Sequence, residues 1–110
     1  MIGYNELEAS ELFDLMTQHK LLLVDVRNDD EVARGTIPGA LHISLAMIPV
    51  KYDSLGGDQD LVFYCHSGMR SAQAAAFVAS KGRKRVFNLR GGVLAWGKAG
   101  FPFGKKGEPA

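Results

Sequence analysis

Leu61-Val-Phe-Tyr-Cys-His-Ser-Gly-Met-Arg-Ser71 and the alanine-rich run at residues 72–79 decide the fold of this chain. The apolar residues before Cys65 have the length and β-forming side chains of a strand, whereas alanine has the highest helix propensity. The stretch therefore predicts a strand, a short loop through Gly68, and a helix that ends near Gly82. Because the single cysteine of the chain lies in that turn, the loop is the candidate functional site.

The rest of the chain alternates between strand and helix patterns in the same way. Helices are predicted at residues 7–18, 28–35, 45–52 and 93–98, and strands near Tyr4 and at residues 21–26, 40–43 and 86–89. This alternation predicts a three-layer α/β/α domain with a mostly parallel central sheet. We expect one domain at residues 1–103, followed by a disordered tail at residues 104–110, which is polar and contains glycine and proline.

Composition excludes several classes of partner. The 110 residues suffice for one core, and 13 Lys and Arg against 12 Asp and Glu give a net charge of +1. This balance predicts no broad attraction to nucleic acid or to a membrane surface, and the basic cluster at residues 81–85 is interpreted as a solvated turn. No apolar run approaches the roughly 20 residues that cross a bilayer, and the N-terminus does not resemble a signal peptide. We therefore expect a cytoplasmic location.

The cysteine and histidine content limits the chemistry further. One thiol cannot form an internal disulfide or run a two-cysteine redox cycle, so whatever forms on Cys65 must be resolved by an outside group. The other candidate metal ligands, His19, His42 and His66, show no ligand spacing. We expect neither a metal nor a cofactor.

Polar residues follow the predicted strands at three places. Asp25 and Arg27, then Cys65, then Arg90 each come just after an apolar run. Because the carboxyl ends of parallel strands meet at one edge of a sheet, where ligands bind, we expect these residues to lie at a common edge.

The residues around Cys65 suit an acidic, nucleophilic thiol. At a helix N-terminus the pKa of cysteine falls from near 8.5 to roughly 3.5–7.5, and Gly68 lets several N–H groups converge on one point. Arg70 adds a cation with a planar fork suited to oxyanions. The Cys65–Arg70 loop is one residue shorter than that of cysteine phosphatases, which favours a single sulfur atom over a phosphate. The alternative is a small buried apolar cysteine at a strand end.

Four motifs in order resemble the rhodanese (thiosulfate sulfurtransferase) family in its single-domain form. They are Leu23-Val-Asp-Val-Arg27 with Glu31, Gly35-Thr-Ile-Pro-Gly-Ala40, Cys65-His-Ser-Gly-Met-Arg-Ser71, and Leu89-Arg-Gly-Gly92 with Trp96 and Gly100-Phe-Pro102. The resemblance implies transfer of a sulfane sulfur from thiosulfate or another donor, including a protein persulfide, to Cys65 and then to cyanide or a thiol. Cys65 would carry the persulfide, and six loop residues would surround it and bind substrate: His66, Ser67, Gly68, Met69, Arg70 and Ser71.

The chain departs from the family pattern at a few positions. Thr36 stands where histidine is frequent, Ser44 where proline is frequent nearby, and His66 where arginine is frequent. Because the charge of a histidine depends on pH, His66 leaves the choice of anionic donor open.

Other matched residues are interpreted structurally. Asp25, Arg27 and Glu31 are expected to form an ion-pair network that braces the loop, and Arg90 is either a second cation for the donor or plain surface. Structural roles are also expected for His42 and for Trp96, which we place in the core. Gly91 and Gly92 are expected to let the chain turn close to the loop.

Two rival functions come from other classes. A non-catalytic rhodanese-like binding module is one, although the cysteine and arginine are intact. A small cysteine phosphatase or arsenate reductase is the other, opposed by the short loop and by the absence of a second cysteine.

Overall fold

Five parallel strands form one central sheet in the computed structural model, which describes residues 3–18 and 21–109. Within those ranges the strands are β1 (Asn5–Leu7), β2 (Leu21–Asp25), β3 (Leu41–His42), β4 (Asp60–Tyr64) and β5 (Val86–Leu89). Their spatial order is β1-β5-β4-β2-β3, so β4 lies at the centre. The helices are α1 (Ala9–Gln18), α2 (Asp29–Ala33), α3 (Ile48–Lys51), α4 (Met69–Ser80) and α5 (Gly92–Lys98), with 3-10 turns at Leu45–Met47 and Tyr52–Ser54.

Helices cover both faces of the sheet, and β4 supplies side chains to both. Leu61 and Phe63 pack with residues of α3 and α4 on one face, while Val62 and Tyr64 pack with residues of α1 and α5 on the other. This strict alternation explains why all five residues of β4 are buried. Burying each large apolar side chain contributes roughly 1.5–3 kcal/mol. The predicted three-layer α/β architecture with a parallel sheet is confirmed.

The observed boundaries differ from the predicted ones at some helix starts. Leu7 pairs with Leu89 in the sheet, so it belongs to β1 and α1 begins only at Ala9. Helix α4 begins at Met69, before the alanine run, because Gly68 adopts a left-handed conformation that ends the loop early. Pro49 lies in the first turn of α3, a position that requires no N–H from it.

Helix α2 begins as the sequence predicts. Asn28 is its N-cap and forms a reciprocal capping box with Glu31, whose carboxylate accepts the Asn28 N–H at 3.0 Å. This cap places Glu31 at the carboxyl edge of the sheet, beside the candidate loop.

The C-terminal segment contacts the body of the domain. Thr36 and Gly104 exchange two backbone hydrogen bonds of 2.9 and 2.8 Å, and the Gly39 N–H donates to the Glu108 carbonyl at 3.0 Å. Disorder of residues 104–110 remains a prediction, and these bonds are the contacts that such disorder would have to break. No helix in the described ranges is both long and apolar enough to span a bilayer.

Candidate active site

Cys65 directly follows β4 at the carboxyl edge of the sheet, and it is 1% exposed. The chain turns through Gly68, whose φ is +102°, and α4 starts at the next residue. A side chain at Gly68 would approach the Gly91 nitrogen to 3.2 Å, so the loop lies directly against the turn that follows β5. The positive φ therefore favours glycine at this position, and the tight space beside Gly91 adds to that preference.

Three hydrogen-bond donors converge on the sulfur of Cys65. The Gly68 N–H lies 3.1 Å from Sγ, and the N–H and hydroxyl of Ser71 lie 3.4 and 3.3 Å away. Donors of this kind stabilise a thiolate, or any negative sulfur at the same position, far more than a neutral thiol. The predicted ring of loop donors therefore exists in the structure.

The pKa of the Cys65 thiol is set by two opposed effects. Burial, the largest single effect, favours the neutral thiol and raises the pKa. The Ser71 hydroxyl and the N–H groups of Ser71, Gly68 and Ser67 act the other way, and their sum brings the pKa of Cys65 below its ordinary value. The loop thus favours a nucleophilic thiolate.

Arg70 points its guanidinium at a carboxylate. Its two terminal nitrogens donate to the two oxygens of Glu31, each at 2.8 Å. This bidentate bond raises the pKa of Arg70 and, together with the capping bond from Asn28, lowers that of Glu31 to about 2. The fork that the sequence suggests for an oxyanion is therefore occupied by Glu31.

A second ion pair lies deeper, at the end of β2. Arg27 donates to Asp25 through three nitrogen–oxygen contacts of 2.7 to 3.1 Å, and also to the Gly35 carbonyl at 2.7 Å. The side chains of this pair are 7% and 0% exposed. Burial raises the pKa of the adjacent Tyr64 hydroxyl, which accepts the Ile37 N–H at 3.0 Å. This network is neutral overall and links β2, β4 and the segment after α2.

A cavity of about 420 Å³ opens beside the loop. His66 and Arg70 contribute to its wall from the loop side; the remaining lining residues are Arg27, Glu31, Arg34, Gly35, Val93 and Phe103. Val93 and Phe103 are the apolar residues of its lining, and Phe103 is 47% exposed. A donor molecule that enters this cavity therefore meets both charged and apolar groups.

Three more of the predicted loop residues lie along a second groove, while Ser71 is fully buried. Ser67, Gly68 and Met69 line a groove of about 550 Å³, together with Asn88 and Arg90. Arg90 pairs with Glu8 at 3.0 Å, and its side chain is 63% exposed. The structure thus separates Arg90 from the cavity that His66 and Arg70 line.

The start of α5 holds the Cys65 loop through backbone hydrogen bonds. The N–H groups of Val93 and Leu94 donate to the carbonyls of Cys65 and His66, at 2.9 and 3.2 Å. A side chain at Gly92 would lie 2.3 Å from the Cys65 carbonyl, so the close approach expected at this glycine is present. Sequence reasoning did not find Asn88, which donates to the Gly68 carbonyl at 3.2 Å; one polar residue in an apolar strand is the signal that marks it.

Other polar residues have structural contacts. The indole of Trp96 is buried and donates to the Pro102 carbonyl at 2.8 Å, and His42 Nε2 lies 2.8 Å from the Arg27 carbonyl. Among the described residues, no group of three or more His, Cys, Asp or Glu side chains could hold a metal ion. His19 lies outside the described residues.

Comparisons with known proteins find a matching family model and relatives that are sulfurtransferases. The family model described as Rhodanese-like domain matches residues 8–99. A sulfurtransferase of Allochromatium vinosum is 42% identical over 89% of this chain and 92% of its own length. The thiosulfate sulfurtransferase GlpE of Coxiella burnetii is 28% identical over 84% of this chain and 87% of its own.

Solved structures share the fold. A protein of unknown function from Rhodopseudomonas palustris, described as a possible tyrosine phosphatase, superimposes with a TM-score of 0.87 at 30% identity. The match covers 92% of this chain and 85% of that one.

Proposed function

Since this chain belongs to the rhodanese-like domain family, we propose that it is a sulfurtransferase that works through a persulfide on Cys65. The observation that carries the proposal is the convergence of the Gly68 N–H and both Ser71 donors on Sγ. The donor would be thiosulfate or a persulfide, including one on a protein, and the acceptor cyanide or a thiol. Neither a cofactor, nucleic acid nor a membrane takes part in the proposed reaction.

In the first half-reaction the Cys65 thiolate attacks the outer sulfur of thiosulfate. A new sulfur–sulfur bond forms, the bond to the sulfite group breaks, and sulfite leaves with the electron pair. The product is Cys65 persulfide, with its negative charge on the outer sulfur. No general base is required, because the loop donors already favour the thiolate.

In the second half-reaction an acceptor attacks that outer sulfur. Cyanide forms thiocyanate and returns Cys65 to the thiolate, so atoms and charge balance over the cycle. The loop from His66 to Ser71 would hold the persulfide between the two steps, because the same N–H groups that stabilise the Cys65 thiolate also stabilise the negative sulfur of the persulfide. The chain has no second thiol, so the acceptor must come from outside.

The ion pair at Arg70 changes how the donor anion would be stabilised. Glu31 neutralises the Arg70 guanidinium locally, so the loop amides carry more of the anion's stabilisation than the motif alone indicates. Arg34, whose side chain is 78% exposed at the cavity wall, is a further cation that the anion would meet on entry.

Mass spectrometry of the protein after incubation with thiosulfate, under non-reducing conditions, tests the proposal. We expect the intact protein to gain the mass of one sulfur atom, to lose it on addition of cyanide, and to show no gain in the Cys65→Ser variant. An unmodified Cys65 after exposure to both thiosulfate and a persulfide donor would refute the persulfide mechanism. Comparing turnover with thiosulfate and with a protein persulfide donor then identifies the better donor.

The description of the Rhodopseudomonas palustris protein makes phosphatase activity a second candidate. The loop geometry argues against it, because Arg70 binds Glu31 and only four residues separate it from Cys65. Hydrolysis of an aryl phosphate, lost in Cys65→Ser, would favour the phosphatase over the sulfurtransferase. A Cys65→Ser variant with full biological effect would instead favour a non-catalytic binding module.

A cytoplasmic location belongs to the proposal as well, since a lone free thiol suits a reducing compartment.

A further inference from the structure

Asn88 is a buried polar residue that the proposed reaction does not use. It lies in β5 between Phe87 and Leu89, and it is 2% exposed. Phe87 and Leu89 pack on the face of the sheet that α1 and α5 cover, so the strand's alternation turns Asn88 to the face covered by α4. A leucine or valine at this position would complete an apolar strand.

The side-chain amide of Asn88 bridges two groups that can only accept hydrogen bonds. Its Nδ2 donates to the Gly68 carbonyl at 3.2 Å and lies 3.1 and 3.2 Å from the two carboxylate oxygens of Glu6. An amide nitrogen has two hydrogens, and both are used here. Both neighbours are acceptors, so they fix the orientation of the amide, with the nitrogen toward Gly68 and Glu6.

The amide oxygen of Asn88 has no partner within the part of the chain that the structure describes. A buried polar atom without a hydrogen bond costs stability, so an asparagine here is a poor choice for packing alone. The compensating gain lies at Nδ2, because that atom holds the loop.

Gly68 is the residue that most needs to be held. Its N–H points at the Cys65 sulfur from 3.1 Å, and its φ of +102° lies in the left-handed region. Its carbonyl accepts both from Asn88 and from the Ala72 N–H, at 3.2 Å in each case. Because glycine has the greatest conformational freedom, the direction of its N–H depends on such outside contacts.

We propose that Asn88 is a positioning residue for the active loop, which fixes the Gly68 carbonyl so that the Gly68 N–H stays directed at Cys65 Sγ. It acts from a neighbouring strand through one hydrogen bond and touches neither the sulfur nor the donor. Glu6, on β1, orients Asn88 in turn through the second hydrogen of the same nitrogen.

The test is a titration of the Cys65 thiolate by its ultraviolet absorbance, with the Cys65→Ser protein as the blank. Asn88→Leu removes the donor, adds no charge and nearly preserves volume. We expect its thiolate midpoint to rise by about half to one pH unit, since one charge-stabilising hydrogen bond is weakened. Phe87→Ala is the matched control, because it damages the same strand on the opposite face; its midpoint should equal that of the wild type.

An unchanged midpoint in folded Asn88→Leu, or an equal rise in Phe87→Ala, would overturn the proposal. If Asn88→Leu does not fold, NMR of the wild type decides instead. The two Asn88 side-chain amide protons should then exchange slowly with solvent, and their signals should shift when Cys65 is alkylated. Fast exchange or unchanged signals would overturn the positioning role of Asn88.

This positioning role rests on the proposed function only in treating Cys65 as the reacting group. Because neither measurement uses a sulfur donor, failure of the positioning role is distinguishable from failure of persulfide formation.

Discussion

The turns after β4 and after β5 are built alike, yet only the first presents free N–H groups to a sulfur. Each leads from a buried strand through a glycine in the left-handed region, Gly68 at +102° and Gly91 at +76°, into a helix. In the first turn, donors converge on Cys65 Sγ. In the second, the N–H groups of Val93 and Leu94 are already bonded to carbonyls of the first turn.

The difference shows that a strand-to-helix turn does not by itself make an anion site. The unpaired N–H groups of a helix start attract negative charge only while no other acceptor takes them. The N–H groups of the second turn donate to carbonyls of the first turn and so hold it in place. The two turns are therefore one structural unit, in which the β5 turn supports the β4 turn, the proposed site.

Gly92→Ala should have the largest effect, because it breaks the contact between the two turns. The added carbon would lie 2.3 Å from the Cys65 carbonyl, at a φ of +56°. We expect a loss of about 2–4 kcal/mol in the free energy of unfolding, measured with urea, and a strong loss of persulfide formation.

Gly82→Ala provides the matched control for this change. Gly82 also has a positive φ, +97°, but nothing lies within 4 Å of an added carbon. Backbone strain alone should cost it about 1–2 kcal/mol, less than in Gly92→Ala, and persulfide formation should be kept. Equal losses in the two variants would show that backbone strain, and not contact between the turns, sets the effect.

Ser71→Ala should have an intermediate effect, confined to the chemistry of the β4 turn. The variant loses the hydroxyl 3.3 Å from the sulfur but keeps the Ser71 N–H bond. The hydroxyl is the largest of the effects that lower the Cys65 pKa, so the thiolate midpoint should rise, by about half to one unit. Ser80→Ala, at the far end of α4, should leave the midpoint unchanged; a shift there as large as in Ser71→Ala would contradict the assignment.

The smallest expected effect concerns the arginines at the two turns, Arg70 at the start of α4 and Arg90 directly after β5. Arg70 is held by Glu31 with side chains 30% and 21% exposed, whereas the Arg90 pair with Glu8 is more than half exposed. The folded pKa of Glu31 is about 2, below its ordinary 4.5, so the pair stabilises the fold above that range and the stability falls as pH drops from 4.5 toward 2.

Arg70→Met should flatten that acid loss, while Arg90→Met should leave it as in the wild type. At neutral pH the free energy of unfolding of Arg70→Met should be about 1 kcal/mol below that of the wild type, because the Arg70–Glu31 pair is bidentate but still near the surface. Urea unfolding as a function of pH measures both variants. An acid loss in Arg70→Met as steep as in the wild type would show that Glu31 owes its low pKa to its capping bond with Asn28 and to the charge of Arg27 instead of Arg70.

The sequence by itself determined the α/β architecture with a parallel sheet, the place of Cys65 after a central strand, and a glycine in the following loop that can take a left-handed conformation. Alternating apolar residues in β4 and the alternation of strands with helices act over short distances along the chain, so their pattern is visible without coordinates. They bring every strand end, and with it the thiol, to one edge of the sheet.

The tertiary structure alone decided what holds the loop. Asn88 reaches Gly68 across 20 positions of sequence, and Arg70 reaches Glu31 across 39. Both contacts depend on which strands are neighbours and in what register, and several strand orders fit the same alternation of elements. An arginine in an anion motif therefore becomes half of an ion pair only once β2 lies beside β4. An asparagine in an apolar strand comes to hold the Cys65 loop only once β5 lies on the other side of β4.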